Sequence, residues 1–276
     1  MTHNTDFNEI LKKSVGGGIS GAAAMTVQVT SLMWLRTTMN YQYRYGTNTT
    51  QAIKKLYQDG KLLRFYRGYT PALMIGPLSR FGDTMTNTYA MTSLEKSELP
   101  TSIKTMVGSG LAASWRALLM PIDAVKTTMQ VEGKNGLNIL SNKVKKSGPK
   151  TLFHGTGASM SATFVGHYPW FLTYNLLDEK LPKYNDGLKK FCRNGLIGFS
   201  AAVISDCCSN SLRVIKTTKQ THVNSLSYND TVKLIIKEDG IKGLLGRGLK
   251  TRILTNGIQG VVFTVTWKYI QEHMNN

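Results

Sequence analysis

A 90-residue internal period constrains this chain more than any other feature. Arg36, Lys126 and Lys216 open the segments RTTMN, KTTMQ and KTTKQ at intervals of 90 residues. Gly18, Gly108 and Gly198 keep the same interval, eighteen residues before each basic residue. Two landmarks sharing one period define three copies of one supersecondary unit, which bury their apolar faces against each other. The units run over 1–98, 99–188 and 189–276.

A second element recurs after each basic residue, over 45–68, 136–155 and 228–248. Each copy predicts a short amphipathic helix stopped by Asp-Gly or Ser-Gly, then an apolar run ending in a basic residue or histidine and Gly68, Gly155 or Gly248. Glycine just past a helix end is the usual left-handed stop. Each unit therefore reads as long helix, short helix, long helix, and the fold class is all-α. The long segments are poor in charge: none falls between Ser14 and Leu35, Gly155 and Leu177 (with His167 neutral), or Ile253 and Trp267. Arg80 and Asp83, Arg116 and Asp123, and Asp206 and Arg213 interrupt the other three. About 20 residues span a bilayer, so six spans fit, with the polar residues facing inward.

Charge placement agrees with that reading. Of a net charge of +18, the three intra-unit loops (36–67, 124–154 and 214–252) carry +16, while the linkers 95–104 and 178–193 carry 0 and +2. With six spans the basic loops share one side, the asymmetry of membrane orientation. The competing reading of the same pattern is a soluble helical repeat with a basic face. Nucleic acid is disfavoured as a partner, because neither a Cys/His finger nor an aromatic RNA-binding signature occurs. Cys192, Cys207 and Cys208 lack zinc-site spacing, and the five histidines form no HExxH, so no metal is expected. Gly-x-Ser-x-Gly is absent, and the early GGGISG is not followed by Gly-Lys-Ser/Thr, so neither an enzyme nor a phosphate loop is indicated and no cofactor is implied.

The segment Pro121-Ile-Asp123-Ala-Val-Lys126, with Gln130 four residues on, resembles the signature of the mitochondrial carrier family, Pro-x-acid-x-x-base once per repeat. The likeness extends from about residue 10 to 270. It implies six tilted transmembrane helices, three short matrix helices, and a multi-pass protein of the mitochondrial inner membrane with both termini toward the intermembrane space. It also implies a central cavity that alternates between two closures. One is a ring pairing the acid of one repeat with the base of the next, so that Asp123 meets Lys216. The other is an aromatic-acid-x-x-base ring at the opposite mouth.

Departures from the pattern fall on those closures. Repeat one reads Ser31-Leu-Met33-Trp-Leu-Arg36 and repeat three Ser211-Leu-Arg213-Val-Ile-Lys216. Both prolines are serine, one acid is methionine and the other arginine. The ring of Arg36, Asp123, Lys126, Arg213 and Lys216 sums to +3. Like charges 4 Å apart repel by about 1 kcal/mol in water and roughly 4 at intermediate dielectric, so this ring is expected not to lock. Gln130 and Gln220, with Asn40, keep polar braces beneath it. The opposite ring reads Tyr89-Ala90, Tyr174-Asn175 and Trp267-Lys268, without acids. Substrate-contact positions fall on Ile75 (or Met74), Ala162 and Thr255, all uncharged.

Arg80, Asp83, Arg116, Asp206 and Arg252 are candidates to line a cavity, with Arg80 and Asp83 spaced to satisfy each other. Met33 and Trp34 are expected to pack where a salt bridge would otherwise sit. Arg67-Gly68, His154-Gly155 and Arg247-Gly248 open the even helices. Helix starts beside a base hold phosphate, and the resemblance implies cardiolipin there. The resulting expectation is a carrier-derived accessory subunit of a larger inner-membrane assembly such as a respiratory-chain complex, with membrane lipids and other subunits as partners. The alternative is an active transporter of an unknown metabolite.

Overall fold

A computed structural model describes residues 25–94, 97, 99–184 and 187–274. The early glycine cluster around Gly18 lies outside the described residues, as do the side chains of Arg80, Trp267 and Lys268. The architecture is helical throughout the described residues, and each repeat has the expected long–short–long order. Repeat one comprises α1 (25–45), α2 (Thr49–Phe65) and α3 (Tyr69–Ser93). Repeat two comprises α4 (Thr101–Leu118), α5 (Met120–Glu132), α6 (Gly136–Ser147) and α7 (Thr156–Lys180). Repeat three comprises α8 (Gly187–Thr221), α9 (Tyr228–Gly246) and α10 (Leu249–Met274).

Proline explains why repeat two needs two labels for its first long helix. Pro121 sits in the first turn of α5, where its missing N–H costs least, and Leu119 between α4 and α5 opens to ψ −2°. The equivalent positions in repeats one and three are Ser31 and Ser211, and there α1 and α8 run unbroken. The Ser31 hydroxyl donates back to the Val27 carbonyl at 2.8 Å, a bond that bends a helix only gently.

The short helices stop as the sequence predicts, with one difference. Gly148 (φ +79°) and Gly240 (φ +68°) are left-handed. In α2 the break falls on Gly60 and Lys61, and Lys61 (φ +52°), not Gly60, takes the left-handed conformation. The start of α2 is fixed by a capping box: the Asn48 side chain accepts from the Gln51 N–H at 2.8 Å, while the Gln51 side chain accepts from the Asn48 N–H at 3.3 Å.

α3 packs on α4, α4 and α8 flank α7, and α10 packs on α8. A hydrogen bond from Gln28 on α1 to the Gln259 carbonyl on α10 (3.0 Å) links the first and last long helices. No described helix is long and apolar enough to cross a membrane unaided. Polar residues concentrate on inner faces, whereas Met74, Leu118, Phe164, Leu196, Leu254 and Val261 stand exposed. That distribution, polar within and apolar without, is the reverse of an aqueous globule.

Candidate functional site

The long helices enclose a cavity of about 400 Å³. A second chamber of about 330 Å³ shares Arg116, Ala162, Thr163, Arg213, Arg252 and Asn256 with it, so the two are continuous. Ile75, Ala162 and Thr255 all line the larger chamber, which settles the register on Ile75; Met74 is exposed.

Asp123 organises one end. Its carboxylate meets Lys126 at 2.5 Å through Oδ1 and Lys216 at 2.5 Å through Oδ2. The expected pairing with Lys216 across α5 and α8 is therefore present. Lys126 shares the same carboxylate from within its own helix, a partner that the pairing between repeats does not anticipate. Around this bridge neutral contacts replace the missing acids. Gln220 donates to Asp123 at 3.4 Å, and Asn40 donates to the Gln130 side chain at 2.5 Å, joining α1 to α5. Gln130 also donates to the Met33 sulfur at 3.5 Å. Met33 is fully buried beside Val29 and Ala72, as expected, but Trp34 is 38% exposed and takes no part. Arg36 donates to the Gln28 side chain at 3.3 Å and, with the Gln259 amide oxygen turned inward, to Gln259 at 2.9 and 3.0 Å.

The remaining charged candidates sort into pairs between helices. Asp83 accepts from Arg116 on α4, at 3.3 Å from Nε and 2.6 Å from Nη2; the pairing with Arg80 expected from their spacing involves a side chain outside the described residues. Asp83 and Arg116 both line the cavity, where Arg116 presents a two-pronged donor. Asp206 accepts from Arg252 at 2.6 Å and from Asn256. Arg213 donates to Ser209 at 3.3 Å, and no carboxylate among the described residues is within ion-pair distance of it. At the opposite mouth, Tyr174 stacks on Trp170 with centroids 5.1 Å apart. His167 shares a 2.6 Å hydrogen bond with Ser109 and is taken up in helix packing.

Gly68, Gly155 and Gly248, which open the even helices, all have left-handed φ (+80°, +88° and +67°). Added Cβ atoms would meet the Lys126 carbonyl at 2.9 Å, the Lys216 carbonyl at 3.2 Å and the Tyr43 ring at 2.8 Å respectively. These glycines therefore serve close packing directly. Arg67 is half-buried beside the first of them. Arg247 is turned inward and is not available to a headgroup, since it pairs with Glu238 at 2.9 Å and Asp239 at 2.8 Å.

One arrangement was not visible in the sequence. A buried cation from each repeat reaches the C-terminal carbonyls of the next repeat's first long helix. Arg64 donates to Gln130 and Val131 at 2.8 and 2.6 Å. Lys143 donates to Gln220 at 3.1 Å and Lys219 at 3.4 Å. Arg247 donates to Arg44 at 3.1 Å. Cations at helix C-termini offset both the orphan carbonyls and the helix dipole. Burial, with the nearby charges of Lys219 and Arg44, lowers Lys143 to about 8. Positions 64 and 143 do not obey the 90-residue period, so no alignment of the repeats reveals the set.

Comparison with known proteins agrees with this architecture. The family described as "Mitochondrial carrier protein" matches three times, over residues 7–98, 97–185 and 188–276. The chain is 28% identical to mitochondrial substrate carrier family protein E of Dictyostelium discoideum over 185 residues, covering 59% of each protein. It is 29% identical to family protein W of the same organism over 183 residues, covering 59% of this chain and 53% of that one. The match thus spans less than two thirds of these relatives. The chain belongs to the mitochondrial carrier family and has its all-α, three-repeat fold.

Proposed function

We propose that this chain is a transporter, carrying a small solute across the mitochondrial inner membrane by alternating closure of the central cavity. The carrying observation is that the cavity persists, lined by charged and hydroxyl side chains and closed at one end by Asp123 between Lys126 and Lys216. A protein kept only for its scaffold has no use for six cations turned into its own interior, since each buried charge costs several kcal/mol before pairing (about that order for any ion). The latch is reduced rather than lost: one carboxylate serves two bases, and amides and Met33 fill the other places. The apolar outer faces supply the lipid contact that single-helix hydropathy conceals. The basic loops would face the matrix and the termini the intermembrane space. Cardiolipin at Arg67-Gly68, Gly155 and Gly248 belongs to the same reading, with Arg247 holding the α9–α10 junction rather than the lipid.

Purified full-length chain in liposomes, preloaded with mixed metabolites, tests the reading by counterflow of labelled solutes. Saturable uptake, reduced by Asp123→Asn, is expected. Absence of flux, together with quantitative migration in a larger complex on mild-detergent native gels, would favour the accessory-subunit role expected from the degenerate signatures.

A further inference from the structure

Of the three buried cations that clasp each repeat to the next, one differs from the other two. Arg64 pairs with Asp59, and Arg247 with Glu238 and Asp239, so both guanidiniums bring a carboxylate into their junction. Lys143 on α6 brings none. Its ammonium meets main-chain carbonyls, those of Gln220 at 3.1 Å and Lys219 at 3.4 Å, and no carboxylate among the described residues is within ion-pair distance of it. The residue is 4% exposed. The charged groups acting on it are cations, Lys219 on α8 and Arg44 near the end of α1. It acts in turn on His154, before α7, and His222, after α8. Glu238 reaches His222 but is already held by Arg247. α5 and the turn over 149–153 also pack on α6 and add no charged group to this set.

A buried ammonium with like charges beside it and no counterion is favoured as the free amine. An arginine in such a place keeps its charge, whereas a lysine gives up its proton. The seated lysine therefore binds fewer protons than one swung out into water. That seat is one step from the latch. The Gln220 carbonyl accepts from Lys143, and the Gln220 side chain donates to Asp123 at 3.4 Å. Lys216, one turn earlier on α8, holds the same Asp123 oxygen at 2.5 Å. The end of α8 thus carries the brace on its main chain and half of the latch on its side chains.

We infer that Lys143 is a proton-linked brace: its deprotonation seats α6 on the end of α8 and holds the Asp123 latch shut, its protonation favours release, and alkaline conditions on the basic-loop side therefore slow the carrier. The slowing rests on the transport reading; the brace does not. The sign follows from linkage. Below about 8, where the seated lysine titrates, the seated and released forms both carry the proton and pH has no leverage. Between there and the roughly 10.4 of a solvated lysine, the released form alone carries it, so each pH unit favours seating by up to about tenfold.

Spin labels at the exposed positions Asn142 and Val223, introduced as Asn142→Cys and Val223→Cys in the full chain with Cys192, Cys207 and Cys208 changed to serine, report the separation of α6 from the end of α8. Pulsed electron paramagnetic resonance in mild detergent follows it from about pH 7 to about 9.5, across the start of the lysine window. Wild-type Lys143 should show a second, longer separation whose share is constant up to about 8 and then falls by about fivefold or more. Lys143→Met, with no proton to lose, should give one share at every pH, and Lys143→Arg should keep the longer separation throughout. A single separation across the range with Lys143 present, or a pH response that survives Lys143→Met, overturns the inference. Counterflow in vesicles of known orientation, with pH varied on the basic-loop side alone, tests the slowing. Exchange that slows as that side turns alkaline, and does not in Lys143→Met, supports it; exchange indifferent to that pH overturns it. A pH-dependent separation in a chain that moves no solute keeps the brace and removes the transport role.

Discussion

Replacing Asp123 by Asn removes one charge from the latch and almost no volume. The side chain is 8% exposed, and each of its oxygens holds a lysine at 2.5 Å. With the carboxylate neutralised, two ammonium groups about 6 Å apart repel by about 3 kcal/mol at an effective dielectric near 20. Removing one partner of a buried pair costs about 3–5 kcal/mol in proteins generally. Both lysines are 20% exposed and reach the cavity, so water there relieves part of the strain and the lower end applies, about 3 kcal/mol. At roughly 2–4 °C per kcal/mol for a chain somewhat smaller than this one, the unfolding midpoint should fall by about 6–12 °C. Thermal unfolding of purified Asp123→Asn, alongside Asp123→Asn/Lys216→Met, provides the assay. The double variant should recover part of the loss, because it removes one of the two unmatched cations. A single variant within about 1 °C of wild type, or a double variant worse than the sum of the singles, would refute the shared-carboxylate latch.

Other expectations follow from the same geometry. Lys143 titrates near 8 when folded, below the roughly 10.4 of an exposed lysine. Between those values the unfolded chain binds the proton and the folded chain does not. Wild type should therefore gain stability over Lys143→Met by about 1.4 kcal/mol per pH unit above 8, and a flat difference between wild type and variant across that window would contradict the burial. Gly248→Ala forces an L residue to φ +67° and a Cβ to within 2.8 Å of the buried Tyr43 ring, and should cost about 2–4 kcal/mol. Gly240→Ala has the same sign of φ but open space around it, and should cost only about 1 kcal/mol; equal losses in chemical denaturation would mean that the Tyr43 contact is unimportant. Arg252→Gln leaves the 5%-exposed Asp206 side chain with Asn256 as its one side-chain partner among the described residues and should cost about 2–3 kcal/mol, whereas Arg116→Gln, whose partner Asp83 is 26% exposed, should cost about 1 kcal/mol.

The fold was largely legible because the features that set it recur. A 90-residue period, glycines at fixed intervals and one-sided charge suffice to place three long–short–long units. The Asp123–Lys216 pair was legible for the same reason, as it follows from a pattern applied to residues that still match it. What escaped the sequence depends on direction in three dimensions. Asp83 meeting Arg116, 33 residues on and in another repeat, turns on which faces open to the cavity. Lys126 joining Asp123 uses a bond inside one helix that a ring between repeats does not anticipate. Lys143 does the work of Arg64 and Arg247 from an unrelated register. Trp34 follows Met33 in sequence but points away from it, since adjacent helical residues are about 100° apart. The charge total was correct, but the energetic conclusion drawn from it was too severe: amides and thioether around the ring, and one carboxylate serving two lysines, lower the cost of a reduced latch.

The most direct measurement is solute exchange by this chain alone, in protein-free vesicles with no other membrane component added. Expected is saturable movement of a labelled solute against a preloaded counter-solute, slowed by Asp123→Asn, which breaks the bridge to Lys126 and Lys216. Vesicles holding folded chain that exchange nothing, under either orientation of the gradient, would contradict it.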